Sequence, residues 1–597
     1  MTVSKQAYSG PKKLIISFDF GVTFSGAAVC LLQSGLVPQP KAVIPWPGAG
    51  GARFPSLMYY GAGGQLRGYG PARKVEGPDF AKSLKTGSVI ETSKWKLLLR
   101  PSHLRIKGMK NSCNDIKLPP GKSAVDVTGD FLELAWKDLV TVLASRNSIE
   151  WSALKNGADV VIVLSHPNGW ETSQPIALRT AFERACIQTA PQQQVDLRFT
   201  TEGQAGIHYI ADQLEDGDVT IVVDAGGGTI DISVYHCTKG MYREVALPSC
   251  LYAGSTLLDG AAKIIIDEVI TDNMLRQKAY YEWAAVKLLL CDKARDVYLN
   301  LYINEDCTPP PEGDAPGQFA YVRDGELVIT KAGIQEIYKT AIDGTVSSIL
   351  EKVEHCFKSE KLRVQDRVLK RGKEDQKGLS ALVRNIQFTK ADEEGQKAVA
   401  LGAARGAARN LIDTHIAPIH LGIKVKQEYD PVNPEHLARK AKKYVDEITG
   451  KWVLDDMFAV LVSKGAKGAE DAGPLEDFTI TTWTSGLACT RDEVYIFRGR
   501  KCPKWMGDKG FERIQELKID LAKQGFSCEA KRNKSGQEIF EWKYWLQFRA
   551  YGPELETVCT QADKSVVVRA NHPGLVAATQ QSTKVGPAGA RKRLRAH

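Results

Sequence analysis

The stretch GDVTIVVDAGGGTIDISVY (217–235) constrains the fold more than any other part of the chain. VTIVV (219–223) is a β-branched run of strand length, and IDISVY (230–235) alternates as a second strand does. Between them stand Asp224, Ala225, Gly226, Gly227, Gly228 and Thr229. A plain hairpin turn needs only a pair such as Asn-Gly. Three consecutive glycines free the backbone further and let another group approach it closely. Exposed amides in such a turn make a concave anion site. Asp224 and Asp231 flank it, and bare carboxylates repel an anion. They fit beside a phosphate when a hard cation such as Mg²⁺ lies between, usually through water. The alternative, taking this stretch alone, is a flexible hairpin with two solvent-facing aspartates.

The pattern occurs twice. LIISFDFGVTFSGAAVCLL (14–32) is again an apolar strand, then Asp19, Gly21, Thr23 and Ser25, then a second apolar strand. With Asp19 aligned on Asp224, Gly21 falls on Gly226. Two matched hairpins so far apart imply a duplicated fold whose turns face each other across a cleft. A nucleotide polyphosphate suits two facing, amide-rich turns that carry carboxylates and hydroxyls.

DFGVTFSG (19–26) and DAGGGTIDIS (224–233) resemble the two phosphate motifs of the actin-like ATPase superfamily. Within it the chain is most similar to the 70-kDa heat-shock chaperone family, in its divergent twelve-type branch common in fungi. Trp46-Pro47-Gly48 with FPSLMYYG (54–61), and KWKLLL (94–99), resemble segments that follow the first hairpin. VVIVLSHPNGWE (160–171) and AFERACI (181–187) resemble the strand and helix that lead to the connecting motif, which TTEGQAGIHYI (200–210) fits. AGSTLLDGA (253–261) resembles the segment that closes over the phosphates, and AVALGAARGAA (398–408) the second connecting helix.

The resemblance implies an α/β fold: a two-lobed, actin-like (duplicated ribonuclease H-like) ATPase domain followed by a small β-rich domain. It implies ATP or ADP with Mg²⁺ as cofactors. In that reading Gly226, Gly227 and Gly228 hold the β- and γ-phosphates, with Gly21, Val22 and Thr23 facing them. Thr229 and Thr23 offer hydroxyls. Asp19, Asp224 and Asp231 hold a hydrated Mg²⁺ and orient an attacking water, and Glu202 is the second residue for that water. Gly254 and Ser255 form the closing turn, and Lys287 flanks the adenine. Arg73 or Lys74 takes the place of the lysine that reaches the γ-phosphate in the family. Phosphoryl transfer is mostly positioning and charge stabilisation, so such a set suffices in principle.

Two departures bear on turnover. Val22 stands where the family has a threonine, which removes one hydroxyl. Residues 350–397, where the family has a strand ending in Gly-Gly against the adenosine, are charged and contain no such strand. The adenine platform is therefore either absent or built differently.

At 597 residues the chain exceeds a single core, and two to four domains are expected. Residues 1–13 read as a disordered leader, 14–200 as the first lobe, and 201–420 as the second lobe with a mostly helical insertion over about 255–345. The helical spacing extends over 261–270 and 282–299. Residues 421–573 read as a reduced β-rich, substrate-binding-like domain, with LGIKVKQEYD as a strand pair and 436–448 as a helix. Residues 574–597 read as a disordered basic tail.

No apolar run reaches the ~18–20 residues of a membrane span, and MTVSKQAYSGPKK lacks a signal-peptide core. The 12 cysteines are scattered without a CxxC pair, which argues against a zinc site or a disulfide framework. A cytoplasmic location is expected, and the basic tail Arg591-Lys592-Arg593-Leu594-Arg595 offers a route to the nucleus. The net charge of +9 is modest for this length, and acids interleave the basic cluster at 352–378. Nucleic-acid and membrane partners are therefore not expected; client polypeptides and co-chaperones are. Three functions remain: an ATP-hydrolysing chaperone-like protein, a nucleotide-binding scaffold without turnover, and a small-molecule kinase on the same fold. A β-rich C-terminal domain in place of a sugar pocket argues against the last.

Overall fold

The computed structural model describes residues 6–70, 83, 86–102, 105, 113–114, 116–170, 173–185, 195–287, 295–301, 319–358, 397–469, 476–486, 488–507, 510–551, 554–561 and 567–572. The chain is a mixed α/β protein with several sheets. It divides into two compact units. Residues 1–170, 177–241 and 248–411 make the first; 171–176, 242–247 and 412–597 make the second. Both glycine-bearing hairpins lie in the first unit.

In the first unit, strand Lys13–Asp19 pairs antiparallel with Phe24–Leu32 and parallel with Asp159–His166, which in turn runs parallel to Val195–Thr201. Parallel strands covered on both faces read as continuous apolar runs, and LIISF does so here. Leu14, Ile16 and Phe18 pack with Val127, Phe131 and Leu139 of helix Ala124–Ser145. Ile15 turns the other way, toward Ala205, Ala400 and Ala403. The long helix starts where Ser123 and Asp126 cap each other's backbone amides. The leader expected over 1–13 is described from residue 6, where the Tyr8 amide donates to the Leu36 carbonyl at 2.8 Å.

Helices Glu202–Ile210 and Ala398–Ala408 cross at small residues. A Cβ on Gly402 would stand 1.9 Å from the Ala205 carbonyl oxygen, which is backbone and cannot turn aside. Gly402→Ala is therefore expected to destabilise the first unit by about 1–3 kcal/mol in urea denaturation. An unchanged midpoint would show that the helices do not approach this closely.

The insertion expected to be mostly helical contains helices Ser255–Val269, Asn273–Val286 and Lys331–Lys358 and also a three-stranded sheet. The helix expected over 282–299 ends at Val286, and Val297–Asn300 is a strand. Period two decides it: Val297 and Leu299 are buried while Tyr298 is exposed.

Among the described residues the second unit holds two five-stranded sheets and, besides them, strand Ile412–Ile416, which pairs with Lys467–Ala469 and with Tyr242 and Arg243. Strands Tyr444–Val445, Trp452–Val462, His420–Glu428, Cys489–Phe497 and Phe511–Asp520 form one. Strands Glu476–Thr482, Glu538–Tyr551, Glu554–Thr560 and Val567–His572 form the other, with Cys528–Arg532 also on Glu538–Tyr551. Ile423, Val494 and Leu517 from the first share a core with Trp542, Leu546 and Phe548 from the second.

Two expectations are corrected in this unit. LGIKVKQEYD contributes a single strand, not a pair. The helix expected over 436–448 is reduced to Pro434–Leu437, a 3-10 turn at Lys440–Lys442, and the short strand Tyr444–Val445. Leu437, Tyr444 and Val445 are all exposed, so a helix there would bury no stripe. Lys443 instead sits over the rings of Tyr429 and Trp452, at 4.5 Å and 4.4 Å.

The basic tail and nearly all of the 352–378 cluster lie outside the described residues. Among the described residues no helix is long and apolar enough to cross a membrane. The nine described cysteines are all free thiols.

Candidate functional site

The first hairpin closes around a clamped loop. The Gly21 amide donates to Ser25 Oγ at 3.3 Å, Ser56 Oγ donates to the Gly21 carbonyl at 2.9 Å, and the Ser56 amide to the Thr23 carbonyl at 2.8 Å. A Cβ on Gly21 would lie 2.0 Å from the Phe24 carbonyl oxygen, so the turn needs glycine. Phe20 is buried between Trp95 and Phe131, which fixes the loop from below.

The second hairpin brings Asp224 directly opposite Asp231, and the Gly226 amide closes the turn on the Thr229 carbonyl at 2.8 Å. The start of helix Ser255–Val269 then orients the glycine peptides. The amides of Ser255, Thr256 and Gly254 donate to the carbonyls of Gly226, Gly227 and Gly228 at 3.1, 2.8 and 3.3 Å. The carbonyls are thus turned to the helix, and the Gly227 and Gly228 amides donate to nothing among the described residues. A Cβ on Gly254 would come within 2.7 Å of this backbone, so only glycine fits there.

The two loops touch. A Cβ on Gly227 would fall 2.3 Å from Thr23 Oγ1, and one on Gly228 would fall 2.7 Å from Val22 Cγ2. Val22 is buried with Leu97 and Cys113. That apolar contact gives a physical reason for valine at this position.

Four carboxylates gather at this junction. Asp19, Asp231 and Glu202 are buried and Asp224 is half-buried. Ser165 Oγ donates to Asp19 Oδ1 at 3.3 Å. The Asn168 amide donates to Asp231 Oδ1 at 2.7 Å, whereas Asp231 Oδ2 has no hydrogen-bond partner of ordinary geometry among the described residues. Glu202 opens its helix, where the dipole favours an anion, and pairs with buried Lys96 at 3.0 Å. Lys96 Nζ also donates to the Phe20 carbonyl and lies 5.3 Å and 5.4 Å from the ring centres of Phe20 and Trp170.

Burial pushes the Asp19 carboxyl up to about 6, and the Glu202 charge adds to it. Burial, then Glu202 and Asp19, push Asp224 up to about 7. Burial and Glu202 hold Asp231 well above the carboxylate range. Lys96 and Arg53 act in the opposite sense on Asp19 and Asp224 but do not cancel the effect. The Cys250 thiol lies against Asp231 and is raised by burial and by that neighbour.

This is an oxygen-rich set with too little positive charge, the chemistry a hard cation answers. Asp231 Oδ2, which accepts no hydrogen bond among the described residues, is an acceptor that a hydrated cation could meet. Among the described residues no three His, Cys, Asp or Glu side chains are close enough to hold a metal ion together; the expected contacts run through water.

Of the residues singled out in the sequence, Asp19, Gly21, Val22, Thr23, Glu202, Asp224, Gly226, Gly227, Gly228, Thr229, Asp231, Gly254 and Ser255 come together here. Lys287 Nζ pairs with Asp259 at 2.5 Å, to which Trp283 Nε1 also donates. No hydrogen bond or ion pair connects it with either glycine loop among the described residues. Arg73 and Lys74 lie outside the described residues, as does 359–396 of the segment expected to face adenosine. Residues 350–358 belong to helix Lys331–Lys358.

Lys96, Ser165 and Asn168 were not anticipated as site residues. Lys96 had a signal, a charge set inside the apolar run WKLLL. Asn168 had none, because its role depends on two segments far along the chain. No protein-family model matches the chain, and no curated protein matches it significantly.

Proposed function

We propose that the chain binds Mg-ATP at the apposed glycine loops and hydrolyses it, as a two-lobed actin-like ATPase of the 70-kDa heat-shock chaperone type. The observation that supports this most is the meeting of two glycine turns, 205 residues apart in sequence, at one junction of four carboxylates and a buried lysine. The free amides of Gly227 and Gly228 donate to phosphate oxygens. Lys96 takes the lysine's role toward the terminal phosphate. Asp19, Asp224 and Asp231 hold hydrated Mg²⁺, which supplies the charge that lets three carboxylates stand beside a triphosphate. Glu202, freed when Lys96 turns to the phosphate, orients the attacking water and receives its proton. The β-rich second unit grips an extended client polypeptide, and nucleotide state alters that grip.

Calorimetric titration of the full chain with Mg-ATP, followed by phosphate release with and without an unfolded peptide, tests the reading. Micromolar binding, with release stimulated by peptide and lost in Asp231→Asn, is the expected result. A chain that binds no Mg-ATP rejects it. The second reading, a nucleotide-binding scaffold without turnover, is favoured by one observation: Val22 brings an apolar side chain, not a hydroxyl, to the loop junction. Binding without release, unchanged by Asp231→Asn, would select it.

A further inference from the structure

We infer that Asn168 is a positioning residue that sets which oxygen of Asp231 is free to act, and that it does so by tying together the hairpin that carries Asp231 and the helix that carries Glu202. The inference rests on the nucleotide-binding reading above and adds a residue to it.

Asn168 lies in the turn that follows strand Asp159–His166. Three of its groups are engaged, each with a different partner. Its backbone amide donates to Asp231 Oδ1 at 2.7 Å. Its side-chain Nδ2 donates to Ser233 Oγ at 2.9 Å, two residues along the same hairpin strand. Its Oδ1 accepts from the Gly203 amide at 3.2 Å, in the first turn of the Glu202 helix. Asn168 and Ser233 are both buried, so these bonds face little competition from water.

Side chains on one face of a strand are two residues apart. Asp231 and Ser233 therefore point the same way, and both reach Asn168. The backbone bond occupies Oδ1 of Asp231, and the side-chain bonds hold the turn where that bond can form. Oδ2 is left fully buried and accepts no hydrogen bond of ordinary geometry among the described residues, with the Thr229 hydroxyl and the Cys250 thiol as neighbours of the same carboxyl. A carboxylate with one oxygen held by a backbone amide presents the other as the more open acceptor, which is what orienting one water or one hydrated ion requires. Gly203 closes the arrangement: a Cβ there would lie 2.3 Å from Ser233 Oγ and 2.9 Å from Asn168 Oδ1. Asparagine supplies the acceptor for Gly203 and the donor for Ser233 at once, which neither alanine nor aspartate does.

Asn168→Ala and the milder Ser233→Ala, which removes one of the two side-chain bonds, test this in the full-length protein. The readouts are Mg-ATP affinity by calorimetry and the single-turnover hydrolysis rate at saturating nucleotide. Asn168→Ala is expected to slow the single-turnover rate about 10- to 100-fold while affinity changes less than about threefold. Ser233→Ala should fall between it and the wild type, and the double variant should be no slower than Asn168→Ala alone. A rate within twofold of wild type, or a rate loss matched by an equal loss of affinity, overturns the inference while leaving the nucleotide reading standing. If the wild type binds without turnover, the readout becomes the ratio of ATP affinities with Mg²⁺ and with EDTA; an unchanged ratio in Asn168→Ala overturns the inference. A wild type that binds no nucleotide rejects the reading, and the inference with it.

Discussion

Lys96→Met is expected to destabilise the protein by about 3–5 kcal/mol, the usual consequence of removing one partner of a buried ion pair. The Lys96 side chain is 4% exposed and its ammonium serves both Glu202 and the Phe20 carbonyl. Methionine fills a similar volume beside Phe20 and Trp170, so the loss would come from charge more than from packing. Without the ammonium, Glu202 is left buried with three further carboxylates close enough to feel its charge. Asp19 and Asp224 would lose a cation that now lowers them. The double variant Lys96→Met/Glu202→Gln should recover most of the stability, because it removes both charges together. Urea denaturation of the three proteins checks this. A single variant within about 1 kcal/mol of wild type would mean that Lys96 and Glu202 do not depend on each other for burial.

The second large effect is a contribution to stability from Asp19 and Asp224 that falls as pH rises, opposite in sign to that of paired surface carboxylates. Asp224 rises from an ordinary value of 3.8 to about 7 in the native state, and Asp19 rises from 3.8 to about 6. Between those limits the folded protein holds protons that the unfolded chain has released. The contribution of these groups to stability is therefore highest below about pH 4, falls as pH rises through the window, and levels off above pH 7. Asp224→Asn cannot ionise and escapes the loss. At pH 8 it should be more stable than wild type by on the order of 2 kcal/mol, discounted from the full shift because solvent reaches this half-buried group. At pH 4 the two should match. Mg²⁺ should raise the melting temperature of the wild type at pH 8 and do little at pH 4. The same substitution should cost Mg-ATP turnover at least 100-fold. Differential scanning calorimetry at the two pH values decides the matter; an Asp224→Asn protein that melts below wild type at pH 8 would show that burial and its acidic neighbours do not disfavour the Asp224 charge. Stability and function oppose each other here, as they do where like charges are gathered to meet a ligand.

Much of the fold was legible where local chemistry decides. LIISF and VTIVV announced strands, the glycines announced the two turns, and AVALGAARGAA announced a helix that does form over Ala398–Ala408. The failures share a cause. Residues 282–299 and 436–448 carry helix-compatible compositions, yet Val297–Asn300 and Tyr444–Val445 became strands because neighbouring strands offered them pairing. Lys287 pairs with Asp259, 28 positions back along the chain, a contact that the local sequence does not announce.

What the amino-acid order determined by itself was the pair of strand–glycine–strand turns with their carboxylates, since each depends only on residues within a few positions of one another. What only the tertiary structure decided was how those carboxylates are held. Lys96 reaches Glu202 across 106 positions and Asn168 reaches Asp231 across 63, and both contacts are buried. Pairings at that range follow from which strands and helices pack together, and the dry surroundings that raise the aspartates exist only once they have packed.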